Sequence, residues 1–414
     1  MAAMKIAIIV RRLDGKGGTQ RQALILAREL IVRGHKLKLY TLRFDRERCY
    51  PDLLQDLSVM ALAGNMMPSE EKLALFLKRV SGFLHETYLA KCLARRIDRD
   101  IDVLNPHDSV AYRVAHYFRK IVKPVPSVWA MNDVPAFRWT YDRISAFEPV
   151  RISALRRLWM RFLDWYDRKR FIADQDIIAV LDHFNEGLVR KYLGRESVIT
   201  RLGIDAGQFS FVPHALPAGG QGRPVALKML AIGIFFPHRR FEDAIEAIAI
   251  LRNRGRDASL TIIGSLKPSP AYAERLEKLV AERGIGSYVT FAGEVSETDL
   301  IRAYREHDVF VFTNYLQTWG HVPLEAMATG IPAIVSRGAG VHEVLADGET
   351  AFLVDPKSPN QIADAAERLM DDPALYRKLV EQGSRFVRES ITWSGYAEAM
   401  LALFQQVSAS RGNS

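Results

Sequence analysis

Residues 309–336 read VFVFTNYLQTWGHVPLEAMATGIPAIVS. A short run that is apolar on both faces (309–314) leads into a polar and aromatic loop. A short helix follows and stops at Gly330, and a second apolar run occupies 332–336. Strands apolar on both faces and separated by a helix indicate a parallel sheet covered on both sides. The loop also carries chemistry. The amides of Trp319, Gly320 and His321, with Thr318 just before them, stand where a helix start leaves N–H groups unsatisfied and its dipole favours an anion. Gly320 lets a ligand approach with no Cβ in the way. Gln317 and Glu325 flank the helix start, and Glu325 lies about one turn inside it, suited to accept hydrogen bonds from sugar hydroxyls.

The same alternation extends outward in both directions. Strand candidates are 5–10, 36–42, 102–106, 126–131, 176–180 and 197–202, then 228–234, 259–264, 289–293, 309–314, 332–336 and 351–355. Two such blocks imply an α/β fold of two doubly wound Rossmann-like domains facing a cleft, with ligands beyond the carboxyl ends of the strands. The Pro- and Gly-rich stretch 204–224 reads as a linker between a first domain, 1–203, and a second, 225–385. Residues 386–414 read as helix that crosses back to the first domain.

Bulk properties agree with a chain of 414 residues in two domains. Apolar residues make up 48% and charged residues 25%, a globular composition, and the net charge of +9 favours anionic partners. Cys49 and Cys92 form no metal-binding or disulfide framework. No apolar run reaches membrane-spanning length, so a cytoplasmic location is expected. No nucleic-acid module and no dinucleotide fingerprint is present.

Two further loops precede helices. In RRLDGKGGTQRQALILAREL, Gly15, Gly17 and Gly18 lead into a helix with the apolar stripe Ala23, Leu24, Leu26, Ala27 and Leu30. The Gly pair brings backbone N–H groups close to a ligand, or is simply a flexible turn. In GIFFPHRRFEDAIEAIAIL, His238, Arg239 and Arg240 stand just before a helix start near Phe241. Cations at the positive end of a helix are awkward unless an anion sits between them, and a phosphate would resolve that. Asp98-Arg99-Asp100 spells D-x-D but reads as solvated surface, and no metal site is expected.

Taken in order, GKGGTQRQALILAREL, IIAVLDHFNEGLVRKYLG, RLGIDAGQF, GIFFPHRRFEDAIEAI and TNYLQTWGHVPLEAMATGIPAIVSRGAGVHEVLADGETAFLVDP resemble a GT-B glycosyltransferase of family 4, the retaining group 1 enzymes. The resemblance spans nearly the whole chain. It implies that Glu325 is the second Glu of the family's E-x7-E motif, on the donor's ribose. Gln317 stands where the first Glu should contact the donor sugar. Gln keeps a carbonyl acceptor, adds two N–H donors and loses the charge. Arg239 matches the diphosphate-binding Lys, while Ile234 replaces a second basic residue and Arg240 stands in for it. Asn132, beside Asp133, occupies the place of a His near the sugar, and His107 is a second acceptor-side candidate. The implied reaction moves a sugar from a UDP- or GDP-sugar to an acceptor hydroxyl with retention. Arg239 and the amides around Gly17, Gly18 and Gly320 would stabilise the departing diphosphate without a metal or other cofactor.

The acceptor is less defined. In 151–170, Leu155, Leu158, Phe162 and Trp165 share one stripe and Arg157, Arg161 and Arg168 another, with seven basic residues against two acidic. This fits a core-facing helix with a basic outer face, and equally a helix lying on an anionic membrane. The stretch 72–96 has the same ambiguity. The membrane reading makes the protein peripheral on the inner face of a membrane and favours a lipid-linked saccharide acceptor. Two alternatives stay open: a non-catalytic nucleotide-sugar-binding protein, and a GT-B nucleotide-sugar epimerase.

Overall fold

A computed structural model describes residues 3–62, 75–148, 151–213 and 226–412. The chain forms two compact units, one of residues 1–203 with 393–414 and one of residues 204–392.

The first unit is built on a seven-stranded parallel sheet. Its strands are β1 (Lys5–Leu13), β2 (Lys36–Phe44), β3 (Val59–Ala61), β4 (Val103–His107), β5 (Val128–Ala130), β6 (Ile177–Val180) and β7 (Val198–Ile199), in the order β3-β2-β1-β4-β5-β6-β7. Ile6 to Val10 of β1 are fully buried, as a central strand covered on both faces must be. Truncating any one of these isoleucines to Ala would cost about 2–5 kcal/mol.

The second unit holds β8 (Leu227–Ile232), β9 (Ala258–Ile263), β10 (Val289–Gly293), β11 (Val309–Phe312), β12 (Ala333–Ser336) and β13 (Phe352–Val354), in the order β10-β9-β8-β11-β12-β13. All neighbours are parallel. Its core runs from β8 and β9 through the helices Phe241–Asn253, Pro270–Glu282 and Pro359–Asp371. In each sheet the order reverses at the first strand, β1 or β8. A crevice opens at that point at the carboxyl end.

Every strand segment read from the sequence is present, and β3 is an addition. It has three half-buried residues and too little pattern to announce itself. The helix Gly18–Val32 buries the expected stripe together with Gln22. Gln22 Nε2 donates to the Tyr396 hydroxyl at 2.6 Å, and Arg33 donates to Ser394 Oγ at 2.8 Å. These bonds fix the final helix, Trp393–Gly412, within the first unit. The helix before it, Pro373–Ser390, belongs to the second unit. Of the 204–224 stretch, residues 204–213 belong to the second unit, and 214–224 lie outside the described residues.

Candidate functional site

The second unit gathers one group of candidate residues at the carboxyl ends of the adjacent strands β8 and β11. After β8, a turn at Pro237–Arg239 leads into the helix Phe241–Asn253. The loop after β11 holds it in place: Thr313 Oγ1 donates to the Arg239 carbonyl at 2.7 Å, and the Tyr315 amide donates to the His238 carbonyl at 2.8 Å. The Arg239 side chain folds back over Gly233, its Nε 3.2 Å from where a Cβ would stand. Gly233 in turn meets Gly264, which sits at φ +152 with its own absent Cβ only 1.9 Å from the Gly233 carbonyl oxygen. Two backbones touch there, and no side chain fits.

Arg239 is the electrostatic centre of this group. Its Nε is buried with no hydrogen-bond partner, and among the described residues no carboxylate pairs with it. Burial alone draws its pKa down to about 10. Arg240 is placed differently. It stands at φ +53 and pairs with Glu242 at 2.8 Å and with Asp243 at 3.0 Å, so its charge is already compensated at the helix start. Ile234 is exposed and brings no charge.

The loop between β11 and the helix Val322–Thr329 carries Gln317, Thr318, Trp319, Gly320 and His321. The Gln317 amide donates to the Gly338 carbonyl at 3.3 Å, and the Gln317 carbonyl accepts from the Gly340 amide at 3.0 Å. Gly320, at φ +137, leaves no room for a Cβ, which would lie 3.0 Å from the Phe312 ring. Pro323 opens the helix, and Gly330, at φ +101, closes it in the left-handed conformation expected of a C-cap. Glu325 is buried on this helix, and its Oε2 accepts from the Tyr304 hydroxyl at 3.2 Å.

The first unit brings Asn132 to the helix that Gly17 caps and Gly18 opens. Asn132 Nδ2 donates to Thr19 Oγ1 at 2.9 Å and to Gln22 Oε1 at 2.7 Å. Asp133 is held by Trp139 Nε1 at 2.9 Å and by Arg143 at 2.8 Å. His107 is not at the surface. It is fully buried in β4, with Nε2 2.7 Å from Asn105 Oδ1, and burial lowers its pKa to about 3. A neutral imidazole turned inward does not serve an acceptor. Asp98 and Asp100 pair with Lys38 and Lys5.

The neighbour of His107 takes the place that sequence reasoning gave to the histidine. Asp108 opens the helix Asp108–Ile121 at φ +72, an uncommon conformation that costs a residue with a Cβ about 1–2 kcal/mol. It lines a pocket of about 680 Å³ together with Thr19, Asn132 and Met160. Burial pushes its carboxyl pKa up. Nothing in NPHDS marks this backbone turn, although a polar residue just past a strand's carboxyl end is a fair prompt to look there.

The helix Ala154–Asp167 buries Leu163, Asp164 and Asp167, and Asp167 pairs with Arg113 at 2.8 Å. The stripe offered as a core face points elsewhere: Leu155 is 77% exposed, Leu158 65%, Trp165 50% and Phe162 46%. The core-facing reading of that stripe is therefore corrected. In the second ambiguous stretch, residues 72–74 lie outside the described residues, and Leu84 and Tyr88 are exposed. Among the described residues no helix is long and apolar enough to cross a membrane.

Residues 225–386 match the family Glycosyl transferases group 1. Over 405 residues the chain is 25% identical to a D-inositol 3-phosphate glycosyltransferase of Corynebacterium diphtheriae, covering 94% of this chain and 89% of that one. Residues 225–386, most of the second unit, therefore carry a Glycosyl transferases group 1 domain. A second such glycosyltransferase, from Corynebacterium glutamicum, is 29% identical over 45% of this chain, and the match spans about half (46%) of that relative. The solved structure of Anabaena HepE in complex with UDP is similar in fold, with a TM-score of 0.71 at 14% identity, covering 97% of this chain and all of that one.

Proposed function

We propose that the protein is a retaining, metal-independent GT-B glycosyltransferase of family 4. It moves a sugar from a UDP- or GDP-sugar to an acceptor hydroxyl. The observation that carries the reading is Arg239, a half-buried guanidinium whose Nε is fully buried, with no carboxylate partner among the described residues. A buried cation is retained at such a cost when an anion comes to meet it. In a group 1 domain that anion is the donor's diphosphate. As the bond from the anomeric carbon to the diphosphate breaks, negative charge grows on the leaving phosphate. Arg239 and the amides around Gly320 stand ready to stabilise it. Glu325, oriented by Tyr304, accepts from the ribose hydroxyls, and Gln317 contacts the donor sugar. The HepE complex with UDP supports a uridine donor by similarity alone.

The acceptor is a saccharide or a lipid-linked saccharide, in surface polysaccharide or glycolipid assembly on the cytoplasmic side of a membrane. The exposed apolar stripe of Ala154–Asp167, flanked by Arg157 and Arg161, suits contact with anionic lipid.

A thermal-shift screen of UDP- and GDP-sugars tests the donor reading. One donor should raise the unfolding midpoint of the wild type and leave Glu325→Ala unmoved. If no nucleotide sugar shifts the midpoint, the reading is lost.

A further inference from the structure

A chain of polar side chains runs through the interior of the first unit. Gln22 lies on the helix Gly18–Val32 among the apolar residues Ala23, Leu26 and Leu30, and is 1% exposed. Its Nε2 donates to the Tyr396 hydroxyl at 2.6 Å, and its Oε1 accepts from Asn132 Nδ2 at 2.7 Å. The second proton of Asn132 Nδ2 goes to Thr19 Oγ1 at 2.9 Å. Side chains from three distant segments are thus joined. The helix Trp393–Gly412, which brings Tyr396, packs on both Gly18–Val32 and β5. The chain ends just beyond β5, where Thr19 and Asn132 line the pocket of about 680 Å³.

A carboxamide buried in an apolar face adds little net stability. Its hydrogen bonds replace those lost to water, and an apolar side chain of similar shape would serve nearly as well. What a bonded polar chain does supply is a defined orientation. Gln22 is bonded through both ends of its amide, which fixes the plane of that amide. Burial pushes the Tyr396 pKa up, so the hydroxyl stays neutral and remains a partner for Gln22. Asn132 depends on this arrangement. Its Oδ1 is buried and has no hydrogen-bond partner, so the two bonds of Nδ2 alone set the turn of its carboxamide. With the Gln22 acceptor displaced, one bond would remain, and the amide could rotate about it.

We infer that Tyr396 and Gln22 are positioning residues for Asn132: the last helix of the chain sets the side chain at the exit of β5 through a relay of hydrogen bonds. The inference rests on the glycosyltransferase reading, because that reading gives the side chains at this strand exit a sugar to act on. Neither Tyr396 nor Gln22 lines the pocket, so both act through Asn132 and not on a ligand. The same helix is also held by Arg33, which donates to Ser394 Oγ at 2.8 Å. That bond lies outside the relay and serves as a control.

The test uses the full chain, with turnover followed as release of UDP or GDP from the nucleotide sugar that raises the unfolding midpoint most. Tyr396→Phe keeps the ring against Trp393 and removes only the hydroxyl. It should lower kcat about three- to tenfold, the worth of one neutral hydrogen bond, with the donor KM unchanged. In an Asn132→Ala background the same change should have no further effect, because residues that act through one another are not additive. Ser394→Ala, which takes the Arg33 bond from the same helix, should leave kcat as it is. A second readout is the side-chain amide resonances of Asn132 in a chain isotope-labelled only at asparagine, recognised by their loss in Asn132→Ala. They should shift in Tyr396→Phe and stay in place in Ser394→Ala. An unchanged kcat in Tyr396→Phe, an equal fall in both backgrounds, or Asn132 resonances that Tyr396→Phe does not move overturns the inference even if a donor is consumed. If the wild type consumes no donor, the glycosyltransferase reading fails, and the resonances alone decide whether the relay holds Asn132.

Discussion

The hydroxyl of Tyr304 donates to Oε2 of Glu325 at 3.2 Å, from a side chain with no exposed surface. The bond joins the helix Glu297–Glu306 to the helix Val322–Thr329 and sets the direction of a carboxylate that would otherwise choose among rotamers. Tyr304→Phe keeps the ring and removes a hydrogen bond to a charged acceptor, worth about 1.5–3 kcal/mol. Calorimetry with the donor found by screening should show affinity weakened about tenfold or more. Unchanged affinity would mean that Glu325 is not on the ribose.

Arg239 couples function against stability. Burial lowers its pKa from the ordinary arginine value to about 10 in the folded chain, so holding the charge without an anion costs about 3 kcal/mol at neutral pH. That cost is complete below about pH 10 and fades as pH rises toward the unfolded value, because only the unfolded chain then keeps the proton. Arg239→Met should therefore raise the midpoint of the ligand-free protein while lowering turnover about 10²–10³-fold. Differential scanning calorimetry and a donor-consumption assay read the two effects separately. A variant that loses both stability and turnover would show that the guanidinium is structural.

Gln317 is expected to discriminate the sugar from its nucleotide. Its backbone is fixed to Gly338 and Gly340, so the side chain can be changed without moving the loop. Gln317→Ala should weaken the nucleoside-diphosphate sugar about three- to tenfold, the worth of one neutral hydrogen bond, and leave the nucleoside diphosphate itself unchanged. Equal losses for both ligands would place Gln317 on the diphosphate instead.

His107 gives the stability an acid dependence. The folded chain resists its protonation down to about pH 3, whereas an unfolded chain takes the proton near 6.5. Between those values the unfolded state binds more protons, so stability falls as pH drops below about 6.5. At pH 5 the loss from this group is about 2 kcal/mol. Burial lowers the pKa of His35, His116 and His307 as well, and they add to the slope. Urea unfolding of wild type and His107→Gln at pH 7.5 and pH 5 isolates the single contribution: the variant should lose less on acidification. Parallel losses would mean that His107 titrates normally.

Binding to vesicles should depend on both faces of Ala154–Asp167. Sedimentation with anionic vesicles should carry the protein down at low salt and less so at high salt, as screening dictates. Phe162→Ser with Trp165→Ser should abolish it, because aromatic groups anchor at the interface. Retention by neutral vesicles alone would separate the stripe from its flanking arginines.

Much of the fold is legible because parallel strands leave strong marks. Val309–Phe312 is apolar throughout and Ala333–Ser336 is apolar up to its last residue, and a turn residue such as Gly330 ends the helix between them. The short Val59–Ala61 leaves no such mark. The loop before Val322–Thr329 is legible for a related reason: Gly320 and Pro323 punctuate a helix start that local chemistry determines. What stays hidden depends on contacts distant in sequence. Tyr304 meets Glu325 through the packing of two helices. Arg240 finds Glu242 and Asp243 only once its backbone takes a positive φ. His107 and Asp108 are adjacent in sequence, yet the strand turns one inward and the strained turn brings the other to the pocket. Periodicity cannot resolve that difference of one residue. The stripe of Ala154–Asp167 is a third case, since an amphipathic pattern does not say which face is buried.

The bond between Gln22 and Tyr396 joins positions separated by nearly the whole chain. The first unit opens the sequence, yet its last helix follows the entire second unit. During synthesis, the domain begun first is thus the one completed last. Residues 204–392 have all of their own sequence while the earlier sheet still lacks the helix that covers Gln22. Until then, that helix face waits without its cover.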